Sequence, residues 1–116
     1  MTPTIIAKGI DASQSLREYI SETVDSALDW AQDSIHFITV RITDLNGPQK
    51  GGKDKRCQIH LKVPGMPNVI VSEVSSSLTS AIGRAAQRAS YVVERALERA
   101  KEIQPINVPV LRRVAI

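Results

Sequence analysis

The chain has few residues of the kinds on which disulfide-bonded, zinc-binding and aromatic-rich proteins depend. Among its 116 residues it has one cysteine, one tryptophan, one phenylalanine and two tyrosines. The single cysteine, Cys57, cannot form an internal disulfide or a CxxC pair for zinc, which is typical of a reducing compartment. We therefore expect an aliphatic core in which Cys57 is a small buried hydrophobe.

Long apolar runs are also missing. No stretch approaches the roughly 18 to 20 apolar residues of a membrane span, and the N-terminus lacks the basic-then-apolar order of a signal peptide. We therefore expect a cytoplasmic protein with no membrane partner. A chain of 116 residues is long enough for one domain that folds alone.

Motifs that carry catalysis are equally scarce. His36 and His60 lie in predicted strands without an HExxH, HxH or cysteine partner, and such histidines are usually surface residues. The segment GPQKGGKDK lacks the GxxxxGK[ST] spacing of a phosphate-binding loop. We therefore predict that the chain is not an enzyme, with no catalytic residue, no metal ligand, no cofactor and no small-molecule substrate.

The hydrophobic pattern predicts six regular elements. Apolar residues recur every three or four positions in two segments and alternate in the β-prone ones. Ser13 is the expected N-cap of the first helix, with Ser15 and Glu18 as a competing capping box, and Ser77 is the expected N-cap of the second. The predicted elements are strand 4–7, helix 14–31, strands 35–44, 56–63 and 68–74, and helix 78–102. This β-α-β-β-β-α order predicts an α+β fold in which two helices pack on one face of a four-stranded sheet.

Two segments lie outside these elements. LNGPQKGGKDK, between the second and third strands, predicts a hairpin with a long, flexible, basic tip. After the domain of residues 1–102, residues 103–116 contain two prolines and predict an extended apolar tail. So many apolar residues should not remain in solvent, so the tail is expected to dock on the chain's own surface or on a second copy, a homodimer being favoured over a monomer.

Charge is distributed unevenly along the chain. Residues 1–45 hold three basic and seven acidic side chains, a net charge of −4, whereas residues 46–116 hold twelve and five, a net charge of +7. Such asymmetry points to a polyanionic partner, although a solvated surface accounts for it equally well.

Two groups of basic residues indicate which kind of polyanion the chain binds. On a helical wheel, four arginines of the second helix fall within roughly 60° of one another, beside the apolar sector: Arg84, Arg88, Arg95 and Arg99. No acid stands three or four residues from Arg84 or Arg88. The second group lies on and beside the hairpin tip, opposed only by Asp54: Lys50, Lys53, Lys55, Arg56 and Lys62. We predict that these nine residues bind RNA, by shape and backbone, because the aromatics are too few for a base-stacking sheet.

Two short motifs suggest a family. The first helix is opened by a serine and carries Leu-Arg-Glu, at Ser13, Leu16, Arg17 and Glu18. Residues 77–83, SLTSAIG, keep the apolar pattern of Asp-Met-Tyr-Ala-Ala-Ile-Asp without its two acids. With the hairpin and the basic second helix, these segments resemble the short form of the ribosome hibernation promoting factor family, also labelled sigma-54 modulation proteins, over residues 4–102.

The resemblance carries expectations of fold and function. It implies the β-α-β-β-β-α fold and binding to the small ribosomal subunit, in the channel of messenger and transfer RNA, which silences translation in resting or stressed cells. The family's basic run on the second helix corresponds to Arg88 and Arg95, with Arg84 and Arg99 extending it. The alternative, from a different class, is a protein-interaction module that works through the sheet face or the apolar tail without RNA.

Overall fold

The elements follow the predicted order. The computed structural model of the chain describes residues 2–45 and 54–100 in full and the backbone of residues 101–115. The elements are β1 (Thr4–Lys8), α1 (Gln14–Leu28), a 3₁₀ helix (Asp29–Ser34), β2 (Phe37–Asp44), β3 (Lys55–Lys62), β4 (Val69–Ser75) and α2 (Leu78–Ala115). The α+β class and the β-α-β-β-β-α order are confirmed. Most of the predicted hairpin tip, with Lys50 and Lys53, lies outside the described residues.

The four strands form one mixed sheet in the order β1-β2-β3-β4. β1 runs parallel to β2, and the two other pairs are antiparallel. Val40 lies opposite Ile59, which in turn lies opposite Val71, so a row of aliphatic side chains crosses the sheet on one face. Since successive side chains of a strand point to opposite faces, the residues between them form a second, open face.

Both helices cover the aliphatic face. α2 packs on β3 and β4, and α1 packs against α2. The core contains the small residues of α2 that let the helix approach the sheet closely, Ala81, Ala85 and Ala89, each fully buried. Ile20, Val24 and Leu28 of α1 join the same cluster as the strand residues. The core is aliphatic, as expected from the scarcity of aromatic residues.

The helix starts agree with the capping prediction. Ser13 Oγ accepts a hydrogen bond from the Leu16 backbone N–H at 3.2 Å, so Ser13 rather than Ser15 caps α1. Ser77 Oγ accepts one from the Ser80 N–H at 3.4 Å and caps α2. Each cap satisfies a backbone donor that the first helical turn leaves unpaired.

A tight turn joins β3 to β4. The Met66 N–H donates to the Val63 carbonyl at 3.0 Å, and Gly65 has a φ of 82°. A turn with proline second and a positive φ third is type II, and glycine is the residue that adopts this φ without strain. The turn places the start of β4 beside the second half of α2.

The C-terminal end differs from the prediction. α2 extends to Ala115, whereas the sequence predicted an end near Glu102 and an extended segment over residues 103–116. Proline removes a backbone donor, but its fixed φ near −65° lies within the helical range, so Pro105 and Pro109 do not by themselves require an extended path. Ile103, Ile106, Val110 and Val114 also recur at helical spacing, a signal that the prolines obscured. The separation of a domain of residues 1–102 from a tail stays a prediction.

Cys57 lies in β3 and is fully buried. Burial raises the pKa of its thiol from 9.0 to about 12, because the charged thiolate is disfavoured in an apolar environment. The prediction that Cys57 is a small core hydrophobe is confirmed.

Across the described part of the chain, no helix combines the length and apolar character of a membrane span.

Candidate nucleic-acid interface

The arginines of α2 form an exposed stripe beside the buried face of the helix. Arg84, Arg88, Arg95 and Arg99 are all exposed, and between them Ala85, Ala89 and Val93 are buried. We call these four arginines the α2 stripe. Because α2 packs on β3 and β4, with β4 at the edge of the sheet, the stripe follows the β4 side of the domain, as the ion pair from Arg88 to β4 indicates.

Arg84 and Arg88 differ in their partners. Arg84 has no ion pair or hydrogen bond among the described side chains. Arg88 Nη1 lies 2.8 Å from Glu73 Oε2 of β4, an ion pair between elements that are distant in sequence. Neighbour spacing along the helix could not reveal this acid. Arg84 is therefore the unneutralised charge in this half of the stripe.

The second half of the stripe is built around a tyrosine. Arg95 Nη1 lies 3.2 Å from the Tyr91 hydroxyl, and its guanidinium carbon lies 5.8 Å from the centre of the Tyr91 ring. The guanidinium therefore interacts with the ring as well as the hydroxyl. Tyr91 is 57% exposed. Arg99 lies one helical turn beyond Arg95.

The described members of the second predicted basic group differ in their polar partners. Lys55 Nζ lies 3.0 Å from Asp54 Oδ2 and 3.6 Å from Asp44 Oδ2. Hydrogen bonding to Asp54 and the charges of both acids raise the pKa of Lys55. Lys62 Nζ donates to the Met66 carbonyl at 2.8 Å. Of the described members of this group, Arg56 alone lacks a polar partner in the described part of the chain.

Arg56 and Lys62 lie on the open face of the sheet, opposite to the face that α2 covers. Arg56 is opposite Val74 of β4, and Lys62 lies on the same face of β3. The two residues lie at opposite ends of β3, since Arg56 is its second residue and Lys62 its last. The β3 cations are therefore spread along the strand, on the face of the sheet that α2 does not cover.

A groove opens between the beginning of β4 and the second half of the stripe. Its volume is about 480 Å³, and its walls include Ile70, Tyr91, Arg95 and Arg99. Among the side chains of residues 2–45 and 54–100, no acidic one lines it. The sequence pattern indicated the arginines as RNA contacts but did not indicate Tyr91 or Ile70. Each of these two residues is a large hydrophobic side chain at an exposed position of an amphipathic element, and that position is the feature that could have identified them.

Titratable clusters that suggest catalysis are not found in the described region. Within residues 2–45 and 54–100, no group of three or more His, Cys, Asp or Glu side chains could hold a metal ion. His60 packs edge-on against Phe37, with ring centres 5.4 Å apart, on the open face. This arrangement is packing between strand neighbours.

The chain matches the profile of one protein family over most of its length. The profile described as "Sigma 54 modulation protein / S30EA ribosomal protein" matches residues 4–102. The chain belongs to this family. The S30EA family comprises ribosome-associated modulation proteins and is not a family of enzymes. The predicted resemblance, over the same residues, is confirmed.

Solved structures share the S30EA fold. The N-terminal domain of protein Y from Thermus thermophilus has 20% sequence identity, a TM-score of 0.65, and coverage of 82% of this chain and 98% of that one. A ribosomal subunit interface protein from Coxiella burnetii has 18% identity, a TM-score of 0.68, and coverage of 82% and 96%. No curated protein matches the chain by sequence.

Proposed function

We propose that this S30EA-family chain binds ribosomal RNA of the small subunit, occupies the channel of messenger and transfer RNA, and silences translation in resting or stressed cells. Binding would take place in the cytoplasm and would need no cofactor. The observation that carries the proposal is the exposed α2 stripe, in which Arg84 has no partner among the described side chains, on a chain whose family is ribosome-associated.

The distribution of exposed cations supports RNA rather than an acidic protein. Phosphates of a folded RNA are spread over a broad surface, so a matching protein needs cations over a similar span. The α2 stripe extends from Arg84 to Arg99, fifteen residues along the helix, which corresponds to about 22 Å at 1.5 Å per residue. Arg56, which lies on β3 opposite Val74, is a further cation without a partner among the described residues.

The names of similar structures point the same way. A protein of the same fold is described as a ribosomal subunit interface protein. Steric occupancy of a channel requires a folded body with cations on its surface, and the α2 stripe provides such cations. Silencing by occupancy also needs no catalytic residue.

The direct test of this proposal is co-sedimentation with ribosomal subunits. We expect the chain to sediment with small subunits and not with large subunits, and pre-bound messenger and transfer RNA should exclude it. Binding that persists with the channel filled would contradict occupancy of the channel while leaving ribosome association intact. Binding to an arbitrary RNA hairpin with equal affinity would instead indicate a ribosome-independent RNA binder.

A second candidate is a protein-interaction module that uses the open sheet face. Three large apolar side chains, Ile6, Phe37 and Ile70, are exposed on this face. Exposed apolar residues that are grouped on one surface are typical of contact sites. Replacing Ile6 and Phe37 by Ser separates the candidates, because an RNA-binding chain should keep its small-subunit affinity and an interaction module should lose its partner.

A further inference from the structure

The groove beside β4 combines features that a phosphate-binding surface does not need. Its six most informative wall residues are Met66, Asn68, Ile70, Tyr91, Arg95 and Arg99. A surface that only neutralises phosphates requires cations, and it gains nothing from a cleft of about 480 Å³ with an exposed aromatic ring. This volume lies within the roughly 300 to 1,000 Å³ of clefts that hold small organic groups.

Tyr91 is the central feature of this groove. It is 57% exposed, yet its hydroxyl and ring are both held by Arg95. The contact restrains the side chain before any ligand arrives, so little conformational entropy is lost on binding. Together, the phenol ring and the planar guanidinium offer a surface on which another flat group can stack.

The charge of the groove determines which flat group fits. Arg95 and Arg99 supply two cations to the walls, and none of the described side chains that line them is acidic. The ligand should therefore carry an anion next to a flat, partly apolar ring. The carboxylates of an acidic peptide would satisfy the arginines but leave Tyr91 and Ile70 uncovered, whereas a nucleotide contains both parts.

We propose that this groove binds one unpaired nucleotide of RNA, with its base stacked on Tyr91 and Arg95 and its phosphate at Arg99. The inference rests on the proposed function, since it assigns part of the α2 stripe to base contact rather than to phosphates alone. Asn68, at the groove wall, offers an amide donor and acceptor for a base edge. One tyrosine provides for one base, so the groove is a single site and not a stacking sheet.

The test compares a short single-stranded oligoadenylate with an abasic ribose-phosphate chain of equal length, by fluorescence anisotropy. The native chain should bind the oligoadenylate at least about fivefold more tightly, since stacking on one aromatic side chain has an effect of this order. Y91L should abolish the difference and leave the salt dependence unchanged. The matched control is Y19L, at an exposed tyrosine of α1.

Three outcomes would overturn the inference. The abasic chain could bind as tightly as the oligoadenylate, which would mean phosphate contacts only. Free adenosine monophosphate could bind as tightly as the oligoadenylate, which would mean a site for a small nucleotide. A polyglutamate peptide could bind in a Tyr91-dependent manner, which would mean a peptide site.

Failure of the proposed function is detected separately. If the native chain does not sediment with small subunits, the ribosomal role fails whatever the oligonucleotides show. If it does sediment and Y91L removes no base preference, the ribosomal role stands and the nucleotide site fails.

Discussion

Arg88 Nη1 lies 2.8 Å from Glu73 Oε2, which connects the α2 stripe to the edge strand β4. The Arg88 side chain is 58% exposed and that of Glu73 is 23% exposed. Solvent therefore screens the pair, and it should contribute at most about 1 kcal/mol to stability. Its greater effect is on the surface charge, because Glu73 places a carboxylate beside the arginines that are proposed to meet phosphates.

Glu73→Gln should therefore strengthen binding. Removing the carboxylate frees Arg88 and lowers repulsion of phosphates, so the affinity for small subunits should rise while the free energy of unfolding falls by at most about 1 kcal/mol. Anisotropy and urea unfolding measure the two effects. Glu22→Gln, at an exposed residue of α1, is the control for a general change of net charge. Unchanged or weaker binding by Glu73→Gln would show that Arg88 does not meet the RNA.

Neutralising the second basic group should have a smaller effect than altering the helix. The triple change replaces Lys53, Lys55 and Arg56 by Gln. Because Lys55 is already paired with Asp54 and Asp44, this change removes fewer than three unpaired cations. Affinity for small subunits should fall less than in R84E/R88E. The reverse ranking would mean that the β3 cations, and not the α2 stripe, provide the main contact.

The burial of Cys57 predicts an alkaline loss of stability. Its folded pKa is raised from 9.0 to about 12, so above pH 9.0 the unfolded chain loses a proton that the folded chain keeps. The free energy of unfolding should then fall as pH rises between these values, by up to about 1.4 kcal/mol per pH unit. The raised pKa of Lys55 adds a loss of the same sign as pH passes it.

Cys57→Ala is the matched control for this effect. This variant keeps the effect of Lys55 on the pH dependence of stability and removes the effect of the thiol. The free energy of unfolding should therefore fall less steeply with pH than in the native chain. At neutral pH the variant should be less stable than the native chain, because core volume is lost. Urea unfolding at a series of pH values measures both slopes. Equal slopes of the unfolding free energy against pH in the native chain and in Cys57→Ala would show that the Cys57 thiol does not cause the alkaline loss of stability.

Deleting residues 104–116 tests the homodimer that the apolar tail predicts. If the tail contacts a second copy or the domain, the truncated chain should sediment as a monomer or unfold at a lower temperature. A full-length chain in which Arg112 and Arg113 are replaced by Gln is the control for lost tail charge. A truncated chain with unchanged sedimentation and melting temperature would show that the tail is free.

Local patterns predicted most of the fold. Alternation in Ile38, Val40 and Ile42 identified the buried face of β2, and side-chain capping identified Ser13 and Ser77 as helix starts. These features depend on neighbours in sequence. The parallel pairing of β1 with β2 was not predicted, because it depends on where the chain returns after α1.

The partners of the site residues were harder to predict. The Arg88–Glu73 and Lys55–Asp44 pairs join different elements, and spacing within one helix or strand cannot reveal them. The sequence contains Tyr91, but the place of this residue in a candidate binding site depends on β4 and Arg95, which form a groove with it. The extension of α2 past Glu102 was missed because two prolines outweighed a helical repeat of apolar residues.

The most direct test of RNA binding by the α2 stripe is the affinity for small ribosomal subunits as a function of salt concentration, measured for the native chain and for R84E/R88E. Arg84 and Arg88 are exposed, so the double variant should keep its fold, which circular dichroism can verify. If the stripe contacts phosphates, the logarithm of the native association constant should fall by roughly 0.7 to 0.9 per contacted phosphate for each tenfold rise in salt. The double variant should bind more weakly, with a shallower slope. Binding that is independent of salt, or an unchanged affinity of the folded double variant, would contradict RNA binding by the stripe.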